Sequence, residues 1–168
     1  DGLVTAGNAS GIGDGAAALV ISDSEFAAAH GLNPMGSLVS WAVAGVPPRI
    51  MGIGPAPAAR MAMERAGIGF DDLALVEVNE AFAAQYIGCE RELGLKREIT
   101  NVNGSGIGLG HPVGATGVRM VLDCARQVTG RAGVTSAATA ATINFTVTNV
   151  TQRGHLTIYP CGTRRPLA

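Results

Sequence analysis

Two segments of this 168-residue chain carry residue types that chemistry needs. In VNEAF (78–82) an apolar run hands an amide and a carboxylate, Asn79 and Glu80, to the start of a helical pattern. In GLGHPVGATG (108–117) His111 stands between Gly110 and Pro112, in a stretch where four of ten residues are glycine. A histidine in a glycine-lined loop has room beside it for a ligand, and the proline that follows restricts its backbone. An imidazole next to an amide can donate hydrogen bonds to a carbonyl oxygen that turns negative during reaction, the arrangement called an oxyanion hole. Each residue also has a structural role open to it. Asparagine at a strand-to-helix junction is a good cap, Glu80 in a first turn favours the helix dipole, and the glycines of GSGIGLG supply turns at positive φ.

The elements that must position these residues follow from the hydrophobic pattern. AAALVIS (16–22) reads as a buried strand, followed by a short helix with Ser24 as cap and Gly31 as stop. GSLVSWAV (36–43) reads as a second strand, residues 57–66 as a helix closed by Gly67, and LALVEV (73–78) as a third strand. Asn79 is then placed to cap a helix whose Phe82, Tyr86, Cys89 and Leu93 share one face and which Gly94 ends. ITNVN (99–103) reads as a short strand, and residues 115–127 as a helix with Val118, Val121, Leu122 and Ala125 inward. TINFTVT and HLTIY, separated by a turn-like QRG, suggest a closing antiparallel hairpin. Strand alternating with helix means an α/β fold, and open α/β sheets place their sites at strand ends and the loops after them.

Composition narrows the function classes. With 47% hydrophobic and 15% charged residues and a formal net charge of −1, the chain is neither disordered nor a basic nucleic-acid binder. No apolar run reaches the ~18 residues that span a bilayer, and the first residues lack the pattern of a signal peptide, so an intracellular location is expected, with no nucleic-acid partner and no membrane span. Three cysteines, Cys89, Cys124 and Cys161, without CxxC or Cys/His spacing, argue against a disulfide framework or a zinc site. GIGDGA (11–16) fits a Gly-x-Gly-x-x-Ala dinucleotide fingerprint. That fingerprint needs a strand before it and a helix after it, whereas here the strand-like AAALVIS follows.

Taken together, VTAGNASGIGDGAA, GVPPRIMGIGPAPA, VNEAFAAQ and NVNGSGIGLGHPVGATG resemble, in order and separation, the C-terminal half of the thiolase family over about residues 2–128. The resemblance implies a layered α/β fold, a mixed sheet covered by helices, and reversible acyl transfer between a 3-ketoacyl thioester and coenzyme A through an acyl-cysteine. Coenzyme A is then a substrate, and no cofactor or metal is implied. His111 and Asn79 take the catalytic places: His111 lines the oxyanion hole for the thioester oxygen and Asn79 helps through a bound water. Met51, Phe82 and Gly110 fall at substrate-binding positions. Acyl-CoA or CoA, the N-terminal thiolase half, and a homodimer or tetramer are the partners expected. The wording VAGVPPRIMGIGP leans toward degradative members, as in fatty acid β-oxidation, while mitochondrion, peroxisome and cytosol are alike compatible.

The chain departs from the family in three places. The nucleophilic cysteine belongs to the half before this sequence, and Cys89 and Cys124, on apolar helix faces, are expected to be packing residues. A second, acid/base cysteine in a glycine-rich motif is expected some thirty residues past the histidine. GVTSAATAATINF puts Ala138 or Ala141 in its place, and Cys161 comes too late. Loss of a general acid/base costs about 10²- to 10⁴-fold in rate. Residues 1–136 are therefore expected to form the thiolase-like domain and 137–168 a divergent tail. Codons for SAATAAT, read one base earlier, can encode a cysteine followed by glycine, asparagine and two glycines, which would make the tail a frameshift. The isolated chain is expected to be inactive, and a non-catalytic module that binds CoA esters or a protein partner is the alternative. Finally, Ser105 and Gly106 stand where many thiolases have glycine and alanine, a change expected to adjust the loop rather than the chemistry.

Overall fold

The computed structural model describes residues 2–129, together with the strand backbones at 140–143 and 157–158. Its centre is β2 (Leu75–Val78), buried along its whole length. Successive residues of a strand face opposite ways. Val76 and Val78 enter a cluster with Ala56, Ala59, Leu73 and Leu93, contributed in part by α2 (Pro55–Ala66) and α3 (Ala83–Leu93). Glu77, of opposite parity, meets Gln127 of α5 (Val113–Val128). Two helices thus cover one face of the strand and a third covers the other.

β3 (Ala140–Ile143) runs parallel beside β2, Leu75 opposite Ala140 and Val78 opposite Ile143. A single parallel bridge joins Val76 to Thr100 on the opposite edge. A separate antiparallel ladder pairs β1 (Gly36–Ser37) with β4 (Thr157–Ile158). The fold is layered α/β with both parallel and antiparallel pairing. Glycines at left-handed φ stop α2 and α3 where the sequence marks them, Gly67 at 69° and Gly94 at 64°. Along α5, Val121 and Ala125 pack with Met35, Leu19 and Leu122.

Several expectations are corrected. AAALVIS is not a strand: its residues have no ladder partner among the described residues, and Val20 and Ile21 are 51% and 56% exposed. The dinucleotide reading of GIGDGA still fails, because no helix opens on it: residues 11–23 are neither helix nor strand. GSLVSWAV keeps only Gly36 and Ser37 as strand, and ITNVN is reduced to the bridge at Thr100 after a 3₁₀ turn at Arg97–Ile99. The cap of α1 (Ser24–Ala29) is Asp23, whose carboxylate accepts from the Phe26 N–H at 2.6 Å, rather than Ser24. Of the expected closing hairpin only the backbones at 142–143 and 157–158 are described, pairing with β2 and β1 respectively, and the rest lies outside the described residues. The domain boundary expected at 136, Ala138 and Cys161 lie outside the described residues.

Candidate active site

The end of β2 is held by side chains that imitate a neighbouring strand. The Asn101 amide accepts from the Val78 N–H at 2.7 Å and donates to the Val78 carbonyl at 2.8 Å. Its own N–H donates to the Val76 carbonyl at 2.8 Å. Asn101 sits at φ +51°, a left-handed conformation that asparagine tolerates better than most residues. Ser105 adds a second grip: its hydroxyl donates to the Val78 carbonyl at 2.9 Å and accepts from the Glu80 N–H at 3.3 Å. The residues on both sides of Asn79 are therefore fixed. Asn79 is not the cap of α3, which begins four residues later; there the Gln85 side chain accepts from the Ala81 and Phe82 N–H groups.

The histidine loop is brought to this strand end by the segment at 8–11. Ser10 N–H donates to the Ala81 carbonyl and Ala83 N–H to the Asn8 carbonyl, both at 2.9 Å, while the Gly11 carbonyl accepts from the His111 N–H at 2.8 Å. Gly110, at φ +82°, makes the turn that presents His111, in a region that glycine enters without strain. One backbone segment thus ties both motifs together.

The two side chains converge. Asn79 Nδ2 lies 3.3 Å from His111 Nε2. On the other side of the ring, Nδ1 lies 2.7 Å from the Thr116 hydroxyl, which is also 3.1 Å from the Pro112 carbonyl. Asn79 and Thr116 are buried and His111 is half-buried. Asn79 Oδ1 is buried without a hydrogen-bond partner, and Gly106 is the residue against it. A Cβ added at Gly106 would lie 2.9 Å from that oxygen and 2.8 Å from the Glu80 carbonyl.

Phe82, 45% exposed, is bridged to Ala9 beside the site. Met51, 77% exposed, lies in the 3₁₀ turn Pro48–Ile53, whose Gly52 packs against Gln85 of α3. Cys89 is fully buried; its thiol donates to the Gly52 carbonyl at 3.5 Å, and burial pushes its pKa up. A thiol held protonated is a poor nucleophile, as a packing role requires. Cys124 is also buried. Sequence reasoning missed Thr116, Asn101, Ser105 and the 8–11 segment as members of the site. Threonine five residues beyond the histidine, one helical turn into α5, is the legible signal among them.

Fold and site together define a layered α/β protein whose polar site lies at the carboxyl end of a buried strand. The sequence model of the thiolase C-terminal domain matches residues 32–149. The 3-oxoadipyl-CoA/3-oxo-5,6-dehydrosuberyl-CoA thiolase of Escherichia coli K12 is 50% identical over 135 residues, 79% of this chain and 34% of that protein. The crystal structure of the Bacillus anthracis acetyl-CoA acetyltransferase superposes with TM-score 0.75 at 45% identity, covering 92% of this chain and 38% of the other. Human mitochondrial 3-ketoacyl-CoA thiolase in complex with CoA gives 0.73 at 33% identity, covering 94% and 39%. The chain belongs to the thiolase family, and it spans about a third of the length of the curated relatives it matches.

Proposed function

We propose that this chain supplies the oxyanion-binding half of a coenzyme A-dependent acyltransferase, acting on 3-ketoacyl-CoA with CoA or acetyl-CoA as co-substrate and no further cofactor. The observation that carries the reading is the 3.3 Å approach of Asn79 to His111 across a fixed strand end. Carbanion chemistry beside a thioester collects charge on the thioester oxygen, and prearranged donors stabilise that charge most where water is excluded. Asn79 Nδ2, the atom turned to His111, donates to the oxygen of a water that in turn donates to the thioester oxygen. His111 supplies the second donor when Nε2 carries a proton. Phe82, Met51 and Gly110 border the approach of the acyl and pantetheine groups.

The nucleophile comes from a complementary N-terminal half, since Cys89 is sealed in the core. Exposed apolar residues along the strand-like segments, Val20, Ile21, Val39 and Trp41 among them, are the surface such a half would cover. The chain alone is then inactive. The rival reading, a CoA-ester-binding module without turnover, shares these contacts and differs in having no use for a prearranged donor pair.

A chimera decides between them. Residues 2–129 of this chain are exchanged into the Bacillus anthracis acetyl-CoA acetyltransferase, and thiolysis of acetoacetyl-CoA is measured. An active chimera in which His111→Ala costs about 10²- to 10³-fold in kcat, the usual cost of one oxyanion donor, with KM for CoA little changed, supports acyl transfer. An active chimera indifferent to His111→Ala would end the oxyanion assignment. Extending the exchange through residue 168 tests the tail, where the second cysteine is expected to be lacking: activity is expected to fall about 10²- to 10⁴-fold.

A further inference from the structure

We propose that Gln85 is a positioning residue that ties the backbone under Phe82 to the backbone under Met51, so that the two side chains keep a fixed separation. The consequence for substrate rests on the acyl-transfer reading; the tie itself does not. Gln85 stands in the first turn of α3, between the loop that carries Phe82 and the 3₁₀ turn that carries Met51. Its Oε1 accepts from the Ala81 and Phe82 N–H groups at 3.1 and 3.4 Å. Backbone N–H groups can only donate, so the amide oxygen must face them and the NH₂ must face the other way. There Nε2 donates to Cys89 Sγ, one helical turn on, at 3.7 Å, and the thiol donates to the Gly52 carbonyl at 3.5 Å. Burial raises the pKa of Cys89 and so keeps the thiol protonated, with a hydrogen to give. From Ala81 and Phe82 through Gln85 and Cys89 to Gly52, each link has its donor and its acceptor.

Packing makes the connection stiff. Gly52 lies so close to the Gln85 stem that an added Cβ would be 3.0 Å from Cγ and 3.2 Å from Cβ. A helix interior favours alanine over glycine by about 1 kcal/mol, yet α3 carries Gly88, where a Cβ would lie 3.3 Å from Ile53 Cδ1. The missing side chain lets the turn approach the helix. Met51 and Phe82 are themselves 77% and 45% exposed, so neither is held by its own burial, and the backbone beneath them sets where they stand. Gln85 grips that backbone at both ends. On the acyl-transfer reading, the separation of the two side chains sets how large an acyl group passes between them.

Gly52→Ala pushes on the Gln85 stem from the Met51 side. In backbone ¹H–¹⁵N spectra of the full chain it is expected to shift the Ala81 and Phe82 signals at the other end. Gln85→Met keeps the length and removes both polar contacts; with it in place, adding Gly52→Ala is expected to leave those two signals where they are. Gly88→Ala is the control, since it presses on Ile53 and not on the amide, and Ala81 and Phe82 are expected to stay. Unmoved Ala81 and Phe82 signals in Gly52→Ala overturn the proposal even if Gln85→Met fails to fold. So do equal shifts in Gly52→Ala and Gly88→Ala, which would mean that turn and helix communicate by contact alone. In the chimera, Gln85→Met is expected to let the two side chains part and to raise kcat/KM for 3-ketohexanoyl-CoA relative to acetoacetyl-CoA by about 10-fold, the low end of what one methylene decides in an apolar pocket. An unchanged ratio overturns the consequence for substrate. An inactive chimera beside coupled signals keeps the tie and removes acyl transfer, whereas an active chimera with uncoupled signals does the reverse.

Discussion

Gly106→Ala isolates the contact on which the placement of Asn79 depends. The new methyl would lie 2.8 Å from the Glu80 carbonyl and 2.9 Å from Asn79 Oδ1, distances that real Cβ contacts do not show. Neither atom can retreat cheaply. The Glu80 backbone is tied through its N–H to Ser105, and Asn79 is buried between Val78 and His111. Overpacking of this kind costs about 1–3 kcal/mol. Alanine returns about 0.4–1 kcal/mol by restricting the unfolded chain, since Gly106 does not occupy the left-handed region. The net loss, up to about 2.6 kcal/mol, lowers the melting temperature by up to about 10 °C in a chain of this length. Gly108, in the same short helix α4 (Gly106–Leu109), has nothing within 4 Å of its Cβ position. Gly108→Ala is therefore the control, expected to be neutral or slightly stabilising. Circular-dichroism melts of the two variants give the stability difference, and side-chain amide spectra report whether Asn79 has moved. Equal melting temperatures with an unmoved Asn79 signal would mean that the 105–106 backbone is not seated against the asparagine.

Burial raises the pKa of Glu77, opposed by its hydrogen bond from Gln127, with Asp123 and Glu80 raising it further and Arg119 lowering it. Between the ordinary carboxylate range and the raised value the native state binds more protons than the unfolded one, so stability falls as pH rises through that window. Glu77→Gln is expected to abolish this fall and to be the more stable form at neutral pH, the advantage vanishing in acid. An amide there also gives the unpartnered Gln127 Oε1 a donor, and urea titrations of both forms across pH read the slope. Asp23→Ala is expected to cost about 0.5–2 kcal/mol as the loss of a helix cap, and Ser24→Ala much less; equal losses in denaturant melts would contradict the cap assignment. Gly15→Ala would put a methyl 2.7 Å from Pro112 Cγ, so ¹⁵N spectra should show the His111 region displaced, and an undisturbed His111 ring signal would refute the contact.

What could be read from the sequence tracks how local the determining interaction is. The ends of α2 and α3 were legible because Gly67 and Gly94 carry the left-handed turn in their own backbones. At the start of α1 aspartate and serine are both able to cap, and only the geometry of the Phe26 N–H selects Asp23. AAALVIS has the composition of a strand, yet a strand exists only where a neighbour accepts its hydrogen bonds, and no residue pattern names the neighbour. The described backbones at 140–143 and 157–158 follow the same rule, each pairing with a strand far back in the chain.

The candidate site shows the same division at closer range. Asn79 and His111 could be named because an amide and an imidazole are chemically conspicuous at a strand end and in a glycine loop. The residues that give them their geometry are conspicuous only in space: Asn101 substitutes for a missing strand residue, Ser105 grips both neighbours of Asn79, and Gly11 offers a carbonyl to the His111 backbone. Ser105 and Gly106 act as one device, a hydroxyl drawing the loop onto the strand end and an absent side chain making the approach possible. Substitution of either residue alone is therefore expected to displace Asn79, which makes the pair at 105–106 a determinant of loop position.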